Sequence, residues 1–188
     1  MKFEMTGKDK LNRRGFVHLA VLGTGSICLL PGCMKSTYQW RFFTDSEAQL
    51  MDALADQIIP PDEWPGGGES GVTNFIDKQM VGPYVRFQSK YRKGFAAIQK
   101  TCETRYQKKF EELAWDEQTI FLESMETGNM KESAWAGGFD KEFFSMVRDH
   151  SMQAYYGSPR HGGNKNNMSY KMLKLDYPLI IGQNRYKT

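Results

Sequence analysis

The stretch Phe87-Gln-Ser-Lys-Tyr-Arg-Lys-Gly-Phe-Ala-Ala-Ile-Gln-Lys-Thr-Cys-Glu-Thr-Arg-Tyr106 decides the fold. Phe87, Tyr91, Phe95, Ile98, Cys102 and Tyr106 recur at steps of four, four, three, four and four, the spacing that lines one face of an α-helix. The opposite face is rich in Lys, Arg and Gln, so the pattern predicts a long amphipathic helix over residues 84–109 with an aromatic stripe against a core. Cys102 lies on that stripe and reads as a buried small apolar residue rather than a reactive thiol.

The neighbouring segments follow the same period. Thr44-Asp-Ser-Glu47 is a capping box, because the Thr44 hydroxyl can accept from the backbone three residues on while Glu47 reaches back. Leu50, Met51, Leu54, Ala55, Ile58 and Ile59 then form an apolar stripe that Pro60-Pro61 ends. Thr73–Met80 predicts a short helix. Asp116–Thr127, with Ile120, Phe121, Leu122 and Met125, predicts another that stops at Gly128. After a connector at 128–139, Asp140 is expected to cap a last helix bearing Phe143, Phe144, Val147, Ser151, Met152 and Tyr155 and ending at Gly157. No useful β alternation and no repeat appears. The expected fold is all-α, a single domain of about five helices over residues 44–188 with long irregular loops and an irregular C-terminal tail.

Ahead of that domain, Leu11-Asn-Arg-Arg-Gly-Phe16 places Arg13 and Arg14 before a weakly apolar run that ends in Leu30-Pro-Gly-Cys33. The run from Phe16 to Pro31 would span roughly 24 Å as a helix against about 30 Å of bilayer hydrocarbon, and it is rich in Gly, Thr and Ser. Residues 1–33 therefore read as a signal peptide. The alternative to a twin-arginine signal is an ordinary one for unfolded export whose basic region contains two arginines. The weak hydrophobicity, with Gly15, His18, Gly23 and Gly25 in or beside the run, favours the twin-arginine translocase, which moves folded cargo. Leu30–Cys33 resembles the lipobox of bacterial lipoproteins, with a proline before the glycine as a departure. It makes Cys33 the expected lipidation site, residues 34–43 a tether, and the location periplasmic with a lipid anchor in the membrane.

Charge and cysteine usage narrow the chemistry. Residues 1–32 hold five Lys/Arg against two acids, and the remainder carries 20 of each, so the basic excess belongs to the signal. A neutral domain argues against nucleic acid as a partner. The three cysteines stand far apart and none precedes a histidine, which excludes the covalent haem motif, and they are too few for a typical iron–sulfur cluster. Beyond residue 33 only His150 and His161 could join a zinc site. His150, beside Asp149, reads as structural.

Gly66-x-Gly68-x-x-Gly71 matches the dinucleotide fingerprint formally, but a helix and three prolines precede it where the mechanism needs a strand, so its glycines read as turn residues. No Gly-x-Ser-x-Gly elbow occurs. The expectation is no catalytic residue, no metal site and no cofactor in this chain. An enzyme acting through Arg160, His161 and nearby serines is the minor alternative. Two loops stand apart as expected partner contacts, Pro60–Gly71 with Pro60, Trp64 and Pro65, and Tyr155–Asn164 with Tyr155, Tyr156, Pro159, Arg160, His161, Gly162, Gly163 and Asn164. The second loop could also form a nest of backbone N–H groups for an anion.

Several of these motifs together resemble the third, small subunit of membrane-associated gluconate 2-dehydrogenases and related flavin-dependent sugar dehydrogenases. They are Ile58-Ile-Pro60, Trp64-Pro-Gly66, Gly71-Val72, Phe75-Ile-Asp77, Phe110-x-x-Leu113, Glu117-Gln118, Phe143-Phe144, Tyr156-Gly-Ser-Pro159 and Gly162-Gly-Asn164, spread over residues 44–180. His161 replaces the usual tyrosine before Gly-Gly-Asn, and Tyr170 takes the place of a tryptophan. The resemblance implies a non-catalytic subunit that binds, stabilises and co-exports a large FAD-containing flavoprotein of the glucose-methanol-choline type, with a cytochrome c subunit as a candidate third component. FAD would then belong to the partner. A stand-alone periplasmic lipoprotein that binds a ligand or envelope component is the alternative.

Overall fold

The computed structural model describes residues 39–175. The expected signal peptide, Cys33 and the first half of the tether, residues 34–38, lie outside them. Six α-helices follow in order, with no strand among the described residues: α1 Asp45–Ile58, α2 Val72–Met80, α3 Gln88–Tyr106, α4 Trp115–Thr127, α5 Phe139–Tyr156 and α6 Met168–Met172. The all-α expectation holds. The sixth helix is a single turn inside the segment expected to be an irregular tail. None of the described helices is long and apolar enough to cross a membrane.

Local sequence accounts for most helix ends. The Glu47 carboxylate accepts from the Thr44 amide at 2.8 Å and the Glu47 amide donates to the Thr44 hydroxyl at 3.3 Å, closing both halves of the capping box. Glu117 does half of this job for α4, accepting from the Ala114 amide. Gly128, in the left-handed region, stops α4. Helix α3 is shorter than the spacing predicts: residues 85–87 form a 3₁₀ turn and Gln107 turns left-handed after Tyr106. Asp140 does not cap α5. It sits inside the first turn and its carboxylate accepts from the Met130 amide at 3.2 Å, tying the 128–139 connector back to the helix.

Tyr91, Phe95, Ile98 and Cys102 of α3 are all buried, as the stripe predicts. The central element is nevertheless α5, which touches α1, α2, α3, α4 and α6. It packs tightly on Gly94 of α3, where an added Cβ would lie 2.2 Å from the Phe143 ring. Only a residue without a side chain lets the two helices meet there. Tyr91, Phe95 and Phe139 each meet the Phe143 ring with centroids 5.8–6.1 Å apart, and Trp135 stacks on Phe139 at 5.9 Å. Burial pushes the Cys102 thiol up to about 12, so it packs as an apolar group. Ile120 and Met152, counted among the apolar helix positions, are exposed, and so is Trp115.

Trp40, Phe42 and Phe43, at the end of the expected tether, pack on the domain. Asp77 on α2 holds them: its carboxylate, 0 % exposed, accepts from the amides of Arg41 at 2.9 Å, Phe42 at 2.9 Å and Phe43 at 3.0 Å. Three charge-assisted bonds satisfy a buried anion that would otherwise be costly. The compact unit accordingly begins at Gln39.

Candidate functional site

The two loops singled out as partner contacts lie together at the C-terminal end of α5. The Tyr155 hydroxyl donates to the Pro65 carbonyl at 3.0 Å, and the Lys165 amide donates to the Ser70 carbonyl at 2.9 Å. Asn74 of α2 donates to the Gly162 carbonyl at 2.7 Å. These bonds fasten Pro60–Gly71 and Tyr155–Lys165 into one hook.

Asn164 is the centre of that hook. It is 0 % exposed, with Nδ2 donating to the Gly157 carbonyl at 2.8 Å and Oδ1 accepting from the Ser169 amide at 2.9 Å. Its backbone is left-handed, as are those of Asn166 and Asn167, a conformation that asparagine tolerates better than other side chains. Gly162 has φ of 103°, and a Cβ there would also meet Asn74 Nδ2 and Lys78 Nζ at 2.7 and 2.9 Å. The Gly-Gly-Asn motif is thus a backbone requirement: a tight turn, then a buried amide that grips both sides.

The expected contact residues separate into frame and face. Tyr155, Gly163 and Asn164 are buried and form the frame. Pro60, Tyr156, Arg160 and His161 are exposed, and Trp64, Pro65, Pro159 and Gly162 are partly so. Tyr156 is 40 % exposed with its ring against Tyr155. Arg160 Nε donates to His161 Nε2 at 3.0 Å. A concavity of about 350 Å³ opens beside this face, between Glu63, Trp64, Pro65 and Glu69 on one loop and Lys165, Met168 and Lys171 on the other side.

Some of the backbone donors around the turn are spent inside the hook. The His161 amide donates to Ser158, the Gly162 amide to Pro159 and the Asn167 amide to Asn164. Two glycines of the formal dinucleotide fingerprint are committed as well, Gly71 donating its amide to the Gly68 carbonyl at 3.1 Å. Gly68 donates its amide to the Asp56 carboxylate at 2.8 Å, and Gly67, between the fingerprint positions, donates to the Ile59 carbonyl, which fastens the loop to the end of α1. A carboxylate occupies the position where a phosphate would need donors. Burial pushes the Asp56 carboxyl up, and that of Asp52, bonded to Thr73, likewise.

A wider concavity, about 490 Å³, lies away from the hook between α1 and α3. Part of its polar lining is engaged internally: Glu47 pairs with Arg92, and Gln99 bonds the Phe110 amide and Glu111. His150 has a structural setting. It is 5 % exposed, stacks on Tyr84 at 4.1 Å, meets Phe87 edge-on, and shares a hydrogen bond between Nδ1 and the Tyr91 hydroxyl at 3.0 Å. Burial pulls it down to about 4, so the ring is neutral at physiological pH. No group of three or more His, Cys, Asp or Glu side chains is placed to hold a metal among the described residues.

Sequence reasoning missed Asp77 and Asn74. Both act on partners far along the chain, 34–36 and 88 residues away, and only the appearance of Asp77 in the Phe75-Ile-Asp motif signalled it. Neither the curated proteins nor the solved structures gave a match to this chain. A family model, gluconate 2-dehydrogenase subunit 3, matches residues 45–176, which include all six described α-helices and the whole hook, and the chain belongs to that family.

Proposed function

We propose that this chain is a non-catalytic accessory subunit that binds, stabilises and co-exports an FAD-dependent sugar or sugar-acid dehydrogenase of the glucose-methanol-choline type. Family membership supports the coarser statement, a subunit of a gluconate 2-dehydrogenase type of complex. The observation that carries the finer one is the hook. Its buried frame, Tyr155, Gly163 and Asn164, fixes the backbone, and its outer face presents the side chains of Tyr156, Arg160 and His161, which among the described residues contact each other and Tyr155. A rigid backbone with exposed aromatic and guanidinium groups suits protein recognition, because little conformational entropy is lost on docking.

Polar groups that could have served chemistry have structural tasks. Asp77 clasps Arg41–Phe43, His150 fills an aromatic cage, and Asp56 holds the glycine loop. Arg13 and Arg14 would direct the folded complex to the twin-arginine translocase, Cys33 would anchor it as a periplasmic lipoprotein, and the FAD would reside in the partner. A cytochrome c subunit would complete the electron path.

The test is co-expression with a flavoprotein that is encoded beside this chain and lacks a signal of its own. The flavoprotein should co-purify with the full chain and reach the periplasm, and Arg13→Lys/Arg14→Lys should hold both in the cytoplasm. Export of the flavoprotein unaffected by that double substitution, together with no co-purification, would refute the proposal.

A further inference from the structure

Met152, 42 % exposed although it sits on an apolar helix position, forms one wall of a groove of about 350 Å³ between α4 and α5. Phe144, Arg148 and Met152 stand along it at steps of four on α5, and Leu122 and Ile58 complete an apolar floor. The polar groups at its α1 side are spent on each other. Gln57 Nε2 donates to Gln118 Oε1 at 3.0 Å, and the Thr119 hydroxyl donates to Gln57 Oε1 at 2.9 Å. The rim on α4 is acidic, with Glu123 and Glu126 both exposed, and Arg148 comes no closer to Glu126 than 3.7 Å.

The groove has a direction. Helices α4 and α5 run antiparallel, with Gly128 at the end of α4 against Lys141 in the first turn of α5. Thr119 and Met152 therefore mark the end nearer the hook, and Glu126 and Phe144 lie toward the other. The described chain leaves from the hook side: Asn164 ties Ser169 of α6 to Gly157, the residue that follows α5. Residues 176–188 lie outside the described residues, and their sequence is Asp-Tyr-Pro-Leu-Ile-Ile-Gly-Gln-Asn-Arg-Tyr-Lys-Thr. Its apolar run Leu179-Ile180-Ile181 comes first, its cations Arg185 and Lys187 come last, and no acid follows Asp176. That is the order in which the groove presents an apolar floor and then an acidic rim.

We infer that the groove is the seat of the chain's own C-terminal segment, with Leu179–Ile181 on the floor of Ile58, Leu122, Phe144 and Met152, and with Arg185 and Lys187 against Glu123 and Glu126. The length suffices: an extended chain carries Ile181 up to about 20 Å and Arg185 up to about 34 Å from Leu175. The floor from Met152 to Phe144 is about 12 Å long at 1.5 Å per helical residue. A tethered segment acts at an effective concentration on the order of millimolar, so a contact too weak for a free peptide is enough to hold it. The inference stands apart from the accessory-subunit reading.

The experiment measures amide exchange of residues 179–187 in the full-length chain. Met152→Asp should speed it at least about tenfold. Glu123→Lys/Glu126→Lys should speed it by a smaller factor, and adding Arg185→Glu/Lys187→Glu should restore the slow rate. Val85→Asp, at an exposed apolar position before α3, should leave it unchanged. Circular dichroism checks that each variant folds. Free-peptide exchange rates in the unaltered chain, no response to Met152→Asp, or no restoration by the charge swap would overturn the inference. Protection that falls on dilution would assign the groove to a second copy, and protection of α4 and α5 seen only with the co-expressed flavoprotein would assign it to that partner; either result would overturn it as well.

Discussion

Helix α5 serves two regions that are stabilised by different means. Its first three turns carry Phe139, Phe143, Val147 and His150 into an apolar core, where stability comes from buried area and ring contacts. Its last turn carries Ala154 and Tyr155 into the hook, where a few directed bonds from Tyr155, Asn74 and Asn164 hold backbone carbonyls. The core tolerates small movements because dispersion is shared among many atoms, whereas each bond in the hook either forms or leaves a buried group unpaired. Damage to the core should therefore lower global stability, and damage to the hook should open a local region while the rest stays folded.

The largest effect is expected at the core. Phe143→Ala removes the ring that fits over Gly94 and should cost about 4 kcal/mol in urea unfolding, with every probe moving together. Asn164→Ala deletes a donor and an acceptor and leaves Ala in a left-handed conformation. It should cost about 3 kcal/mol, read as faster amide exchange in residues 157–169 with exchange in α3 little changed. Equal acceleration in α3 would show that hook and core are one cooperative unit.

Acid should act on the core side. His150 has a folded pKa lowered to about 4 from an ordinary 6.5, so the unfolded chain binds more protons between those values. Its contribution is complete above pH 6.5 and is lost progressively as pH falls to 4, on the order of 2 kcal/mol. Glu47 and Glu132, whose carboxyls are lowered by Arg92 and Arg105 against an opposing effect of burial, add loss in the carboxylate range. His150→Gln should flatten the limb between pH 6.5 and 4 and leave the lower one. The smallest effect is Tyr155→Phe, which loses the bond to Pro65 and should cost about 1 kcal/mol, seen as faster exchange in the Pro60–Gly71 loop alone.

The two regions also differ in how far they could be read from sequence. Tyr91, Phe95, Ile98 and Cys102 announce α3 because core packing repeats every three or four residues, and Thr44–Glu47 announces the start of α1 because capping is local. Periodicity failed at Ile120 and Met152, which are apolar, sit on helices and face out. It carries no information about which partner helix covers a face. The hook was legible only as a motif. Nothing local in Tyr155–Asn164 says that Asn164 is buried or that Asn74 reaches Gly162 from another helix, since such bonds are fixed by tertiary placement. That is why Tyr155, Gly163 and Asn164, expected as contacts, prove to be the frame, while Tyr156, Arg160 and His161 form the face.

The central claim is that the hook grips a protein partner. The most direct measurement is hydrogen exchange on the full chain with and without its co-expressed flavoprotein. The account predicts slowed exchange in residues 60–71 and 155–167 on binding, with the amides of α3 unchanged. Protection spread along α3 and α4 with none in the hook would contradict it.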